Sequence, residues 1–474
     1  MRWPPRPCAP YCGRLTPCSP LEGPKLARAP ENAPGRWPLL GHTVPLLRDP
    51  LALFSAVRDR GDVVKLYLGP LPVFLVTTPE LAWQLLVTDG PKFDKGIVFD
   101  KMRPLFGDGL ATSNGELNRR QRRLVQPAFH RDRIAGYTEQ TITGLAAEVA
   151  NSWQPGEVVA FDQRMQDFAL TASGRTLFST ELGEEVLTEI QRSIPIMLKY
   201  VLLRAFSPKL VEKLPIPANR RFDAAAARLR RVITEAVVSA RSAGTDHGDL
   251  LSMLLLARDE ETGEGMSDQQ VRDEVITILT TGAETTAVAL AWFFHELGQH
   301  PEVERRFHAE VDEVLGGRPV RFEDLPELGY TQRIIHEIGR RTPPLILMRR
   351  AREDTELGGV RIPAGAEVAV SQHTLHQDPR YFPDPGRFDP DRWIPDRMAE
   401  LPRGAFIPFG AGARLCPGHL LAPVEIAVAA VTIGARWRLV PVPGKPVRAR
   451  IKATLQPDRL PMRVVPRDTG ATSG

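Results

Sequence analysis

The sequence predicts a mainly α protein, one large domain with a minor β region, and three observations carry that prediction. Apolar residues recur at helical spacing almost throughout 132–242, with breaks near 153–156 and 207–217. A longer helical stretch runs from Ser267 to His300, where Ser267 and Gln270 form a capping box and Pro301 marks the stop. The β-rich runs are short: 62–68, 73–77, 361–363, 367–371, 435–440 and 462–465.

Composition narrows the class. Of 474 residues, 42% are hydrophobic and 25% charged, which describes a globular chain with a large core. Lys and Arg number 61 against 57 Asp and Glu, a net charge of +4 that gives no argument for nucleic acid. No apolar run near the N-terminus is long enough for a membrane anchor or secretory segment, so the expectation is a cytoplasmic protein. Cys8, Cys12 and Cys18 sit in a Pro- and Arg-rich opening without a CxxC pair. Residues 1–36 therefore read as a disordered extension and 37–474 as the domain.

Taken in order, 50–60 has helical spacing ending at Gly61, and Gly69-Pro70 joins the first two β runs as a hairpin. Pro79 opens a helix continuing to about 87. Residues 91–115 hold four glycines and no steady period. They read as a long loop that either lines a ligand cavity or folds against the surface. The next segment, 117–125, carries Arg119, Arg120, Arg122 and Arg123, too many guanidiniums for one buried face, so some meet solvent and some could meet an anion.

The 267–300 helix spans about 50 Å. Between Val275 and Phe294 its only charge is Glu284, so it crosses the interior; Glu284, Gly282 and the threonines exclude a transmembrane segment. Its centre, Thr280-Thr281-Gly282-Ala283-Glu284-Thr285-Thr286, puts poor helix formers where packing favours leucine. The hydroxyls either bond back to their own helix or loosen it to hold water, and the glycine can admit a ligand close to the backbone. Downstream, Glu337 and Arg340 share a helical face, which alone reads as a surface ion pair.

The chemistry concentrates in Phe409-Gly410-Ala411-Gly412-Ala413-Arg414-Leu415-Cys416-Pro417-Gly418. Cys416 has no cysteine nearer than Cys18, and only His419 is close, so disulfide and zinc readings lack partners. A lone thiolate in a glycine-rich loop suits an axial metal ligand, with the run 419–435 starting a helix whose positive end favours the thiolate.

This loop resembles the haem-binding loop of the cytochrome P450 family, where Phe, two Gly, Arg, Cys and Gly recur at this spacing. Gly282, Glu284 and Thr285 match the family's glycine, acid and threonine on its long helix, with Thr281 where Ala or Gly is usual. Glu337, Arg340 and Arg387 match its buried charged cluster. The resemblance implies the family's single prism-shaped fold with a small β lobe, haem b ligated through Cys416, and monooxygenation with O2 as co-substrate. It implies Thr285 and Glu284 as the proton-delivering pair, Phe409, Gly410 and Gly418 around the sulfur, and Arg122, Arg414 and Arg349 on the haem propionates. Arg350 is the alternative to Arg349. Asn118 replaces the aromatic or His expected four residues before Arg122, and His376 matches a frequent position. It also implies a separate ferredoxin and ferredoxin reductase as electron donors, with Arg403 and Arg414 near the docking face. The segments 93–96, 119–130 and 214–222 resemble actinomycete sesquiterpene oxidases of the pentalenene oxygenase type. That implies a terpene substrate from secondary metabolism, oxidised once or successively, with a fatty acid or other lipid as the alternative; a non-catalytic haem sensor fits less well.

Overall fold

A computed structural model describes residues 29–467 apart from 179, 207–210, 212–213, 445 and 452–453. Cys8, Cys12 and Cys18, and the extension up to residue 28, lie outside the described residues. The principal helices are α1 (Pro50–Arg58), α2 (Ile97–Phe106), α3 (Gly115–Val125), α4 (Phe161–Leu177), α5 (Thr180–Phe206), α6 (Pro217–Ala243), α7 (Asp268–Gln299), α8 (Pro301–Leu315), α9 (Gly329–Arg341) and α10 (Leu421–Arg436).

One six-stranded sheet is built from β1 (Glu31–Asn32), β2 (Val63–Leu68), β3 (Leu71–Val76), β4 (Phe93–Lys95), β5 (Leu347–Ala351) and β6 (Glu367–Val370). Its order is β1-β2-β3-β6-β5-β4. The hairpin closes at Leu68 opposite Leu71, as Gly69-Pro70 predicts. The sheet also recruits Glu31 and Asn32, with Ala33 buried behind them, so ordered chain starts before Trp37. A separate three-stranded sheet pairs Trp437–Pro441 with Pro461–Pro466, and the latter with Val158–Ala160.

The long helix α7 is the axis of the core. Its capping box forms: Ser267 Oγ accepts from the Gln270 N–H at 3.2 Å, and Gln270 Oε1 accepts from the Ser267 N–H at 3.0 Å. Phe293 and Phe294 are buried, meeting Phe307 and Phe161 edge-on at 5.3 and 5.2 Å between ring centroids. Edge-to-face geometry adds attraction beyond the apolar area removed from water. Among the described residues two helices are long and apolar enough to cross a membrane, 268–299 and 417–436, the first mostly and the second half buried inside the fold.

Residues 91–115 are not a continuous loop. β4 and α2 occupy 93–95 and 97–106, with Pro104 inside the last turn of α2. The helix start is capped from afar, by the Glu367 carboxylate accepting from the Ile97 N–H at 3.0 Å. Such a cap supplies an orphan helical donor with a partner that local sequence does not show.

The charged cluster also departs from expectation. Glu337 and Arg340 are fully buried and bidentate, at 2.7 and 2.9 Å. Arg387, however, is exposed and offers only its backbone oxygen to Arg340, at 3.4 Å. The second guanidinium is that of Arg392, 3.6 Å from Glu337. The 3-10 turn Pro390–Trp393 folds onto α9 and delivers Arg392 together with the Trp393 indole, which donates to Glu337 at 3.0 Å. His376, buried and held neutral by burial and Arg340 at a pKa of about 3, accepts the Ile407 N–H and ties this region to the cysteine loop.

Removing one partner from a buried pair leaves the other charge unpaired. Arg340→Leu is therefore expected to cost about 3–5 kcal/mol. For Arg392→Ala the expected loss is about 1–3 kcal/mol, whereas Arg387→Ala stays within about 0.5 kcal/mol. Urea unfolding midpoints check the ranking, and equal losses for Arg387 and Arg392 would contradict it.

Candidate active site

The cysteine loop is shaped by glycines whose conformations other residues rarely adopt. Gly410 and Gly412 have φ of +74° and +71°, and a Cβ on Gly412 would lie 2.2 Å from the Leu86 carbonyl oxygen. The backbone of the loop is thereby pressed against the segment following β3. The Cys416 N–H donates to the Phe409 carbonyl at 3.0 Å, closing the turn, while the half-buried Phe409 stands at its start. A short 3-10 turn, Pro417–His419, then leads into α10. Protein surrounds most of the Cys416 thiol, and that burial pushes its pKa up; the Gly418 N–H and Arg122 pull it back. Even so, Cys416 remains accessible, so its sulfur can still meet a ligand.

Around this thiol the fold collects cations. Arg122, from α3, reaches the Leu415 carbonyl and bonds Gln126 Oε1 at 2.8 Å. Arg414 donates to the Phe93 carbonyl at 2.7 Å and lies 3.6 Å from Asp94. Arg349, 5% exposed, donates to its neighbour's carbonyl, and burial together with Arg414 brings its pKa down to about 9. Arg350 faces the opposite side of β5, where Asp100 and Glu367 pair with it at 2.8 and 2.7 Å. Successive strand residues point to opposite faces, which separates the two arginines.

A fourth cation escaped sequence reasoning. Lys95 is 6% exposed, and burial, then Arg414 and Arg349, bring its ammonium pKa down to about 7. Nothing in Phe93-Asp94-Lys95-Gly96 announces this, because only the pairing of β4 with β5 sets Lys95 opposite Arg349. Asn118 is buried and donates to Leu110 O and Ser113 Oγ, which places it in the loop's support.

The long helix presents a second set. Thr281 and Thr285 are exposed although α7 is otherwise largely buried, so this face borders open space inside the fold. Thr277, Thr281 and Thr285 each donate to the carbonyl one turn back, at 2.7, 2.7 and 3.0 Å. Such back-bonding weakens the helical ladder on this side. Gly282 points elsewhere: a Cβ there would meet only Ser173 Oγ of α4, at 3.7 Å. Glu284 accepts from Gln456 at 2.5 Å. Thr286 donates to Glu425 of α10 at 3.2 Å, joining the threonine face to the helix that follows the cysteine. Burial pushes the Glu425 carboxyl up to about 8. Its apolar surroundings in the sequence gave the only hint of it.

A family model described as Cytochrome P450 matches residues 30–460. Cyclooctat-9-en-7-ol 5-monooxygenase of Streptomyces melanosporofaciens is 46% identical over 96% of this chain and 99% of its own. Pentalenene oxygenase of Streptomyces avermitilis is 38% identical over 93% and 98%. Among solved structures, the cytochrome P450DA haem domain superposes with a TM-score of 0.83 at 28% identity, covering 93% of this chain and 98% of that one. The chain belongs to the cytochrome P450 family, haem-thiolate monooxygenases whose cofactor is haem b.

Proposed function

We propose that this monooxygenase hydroxylates an apolar, terpene-like substrate held between the threonine face of α7 and a haem bound at Cys416. The observation that carries the site assignment is the accessible thiol beside two buried cations, Lys95 and Arg349, and two half-buried ones, Arg122 and Arg414, with Thr281 and Thr285 accessible on a core helix. The residues fit haem. Arg349 is buried without a carboxylate partner among the described residues, and Lys95, Arg122 and Arg414 lower one another's basicity or pay for burial. Two propionates would relieve that repulsion. Cys416 would be the axial ligand, and beside its sulfur stands Gly418, on which a Cβ would lie 3.9 Å away.

When bound, haem supplies O2 activation, placing one oxygen atom in a C–H bond while the other leaves as water with two electrons and two protons. The chain's residues orient the substrate and manage protons. Thr285 already donates its hydroxyl hydrogen to Thr281 O and Gly282 O, at 3.0 and 3.2 Å, so Oγ1 is left to accept a hydrogen from a water in the cavity. Glu284, held by Gln456, is the acid from which such a water is resupplied. Electrons come from a separate ferredoxin and ferredoxin reductase in the cytoplasm. Arg403, exposed beside Trp83, steers the donor better than Arg414, whose guanidinium bonds inward. The names of the relatives, one acting on a cyclic alcohol and one on pentalenene, support a terpene as substrate.

The reduced protein with carbon monoxide should show the thiolate-haem absorption band, and Cys416→Ser should lose it. Retention of the band in that variant would remove Cys416 as ligand. Pentalenene should shift the spin state of the iron at lower concentration than a long-chain fatty acid, and the reverse order would favour lipid hydroxylation. Arg349→Leu should release haem to apomyoglobin at least tenfold faster, about 1.4 kcal/mol, while Arg350→Leu changes the rate little. Thr285→Ala should bind haem and substrate normally but yield several-fold less product per reducing equivalent, with hydrogen peroxide making up the difference. Unchanged coupling would move the proton path away from Thr285.

A further inference from the structure

The turn between α2 and α3 is gripped from three sides. Its Leu110 peptide donates N–H to Glu274 Oε2 at 2.9 Å, and its carbonyl accepts from Lys95 Nζ at 2.5 Å and Asn118 Nδ2 at 3.1 Å. One residue before Glu274 on α7, Asp273 accepts the Asp108 N–H at 3.1 Å, and Gln121 of α3 donates to the Asp108 carbonyl at 2.6 Å. Contact with the long helix is close: a Cβ on Gly109 would lie 2.3 Å from Thr277 Oγ1 and 2.7 Å from the Asp273 carbonyl oxygen. Thr277 stands one turn before the accessible Thr281, so the turn lies against the same stripe of α7 that borders the cavity.

We infer that Glu274 is a positioning residue that fastens the 107–110 turn, and with it α2, to the long helix at the edge of the substrate cavity. Elsewhere α2 is held by the Glu367 cap on its first turn, by the Asp100–Arg350 pair and by burial of Leu105 and Phe106. Its apolar residues are divided between two hydrophobic clusters, with Leu105 and Phe106 in one and Ile97, Val98 and Phe99 against the other. Glu274 itself has no exposed surface, and its Oε1 has no hydrogen-bond partner among the described residues. A buried carboxyl is costly and is replaceable by an apolar residue where only packing matters. This one instead sits between a backbone donor it satisfies and the attraction of Lys95, a member of the cationic cluster. One side chain thus links the turn that borders the substrate to the group that faces the cofactor's carboxylates. The inference rests on the haem and substrate reading above for what the cavity holds, but the fastening itself does not depend on it.

The test uses the haem-loaded protein and its Glu274→Leu and Glu274→Gln variants. Three quantities are read: amide hydrogen exchange by peptide, the dissociation constant of pentalenene from the spin-state shift, and the carbon monoxide band. Glu274→Leu should speed exchange within 107–112 at least tenfold and weaken pentalenene at least fivefold. Exchange in α9, which touches neither Glu274 nor the turn, and the carbon monoxide band should stay as in the parent protein. Glu274→Gln keeps an oxygen for the Leu110 N–H but not the carboxyl that Lys95 attracts, and should speed exchange there about threefold. Should the leucine variant fail to fold, the glutamine variant decides the matter. Unchanged exchange at 107–112, or loosening spread equally over α9, would overturn the inference. A parent protein without the thiolate band would instead overturn the haem reading and leave the exchange result standing.

Discussion

The structure is organised by a concentration of buried and half-buried positive charge around one thiol. Lys95, Arg122, Arg349 and Arg414 come from a strand, a helix, a second strand and the cysteine loop, and they meet with little opposing charge. Like charges in an interior are costly, because low dielectric strengthens repulsion while burial removes hydration. Of the carboxylates nearby, Asp94 lies 3.6 Å from Arg414, and Glu274 is itself pushed up to about 8 by burial. Such an arrangement is sustained by a fold that fixes each contributor independently and by an anionic partner that repays the cost. Haem carries two carboxylates on one edge, which matches the need.

That constraint explains the scaffolding on the near side. Gly412 must be a glycine because the loop passes under the Leu86 carbonyl, and this contact sets where Arg414 and Cys416 fall. The Glu337–Arg340–Arg392 cluster, with Trp393 and His376, holds the segment that leads into the loop. On the far side α7 forgoes leucine packing for threonines that bond to their own backbone. The thiol side is charged, and the threonine side is polar only in a narrow stripe. Oxygen chemistry on an apolar molecule requires both.

Legibility in the sequence followed the range of the interaction. The cysteine loop, the capping box and the Glu337–Arg340 pair are local patterns, and the structure forms each of them. Arg349 and Arg350 are adjacent, so a count along the chain leaves both open, while the two faces of a strand assign one to ion pairs and one to the cluster. Arg387 was implied by the family resemblance, but the 3-10 turn that selects Arg392 depends on packing against α9. α2 was hidden by Pro104, the surrounding glycines and a cap contributed by Glu367 from far along the chain. Lys95 and Glu274 carried no local signal, since their roles exist only where β4, the turn and α7 converge.

The most direct measurement compares iron protoporphyrin IX with its dimethyl ester as stabilisers of the cofactor-free protein, by thermal unfolding at matched concentrations. Both carry iron for the Cys416 thiolate, but only the free acid offers carboxylates to the four cations. A ligand at a thousand times its dissociation constant stabilises by about 4 kcal/mol, so a weaker fit lowers the shift in melting temperature. The account predicts a clearly larger shift for the free acid, with that advantage much reduced in Arg349→Leu. Equal shifts for acid and ester in the parent protein would contradict it.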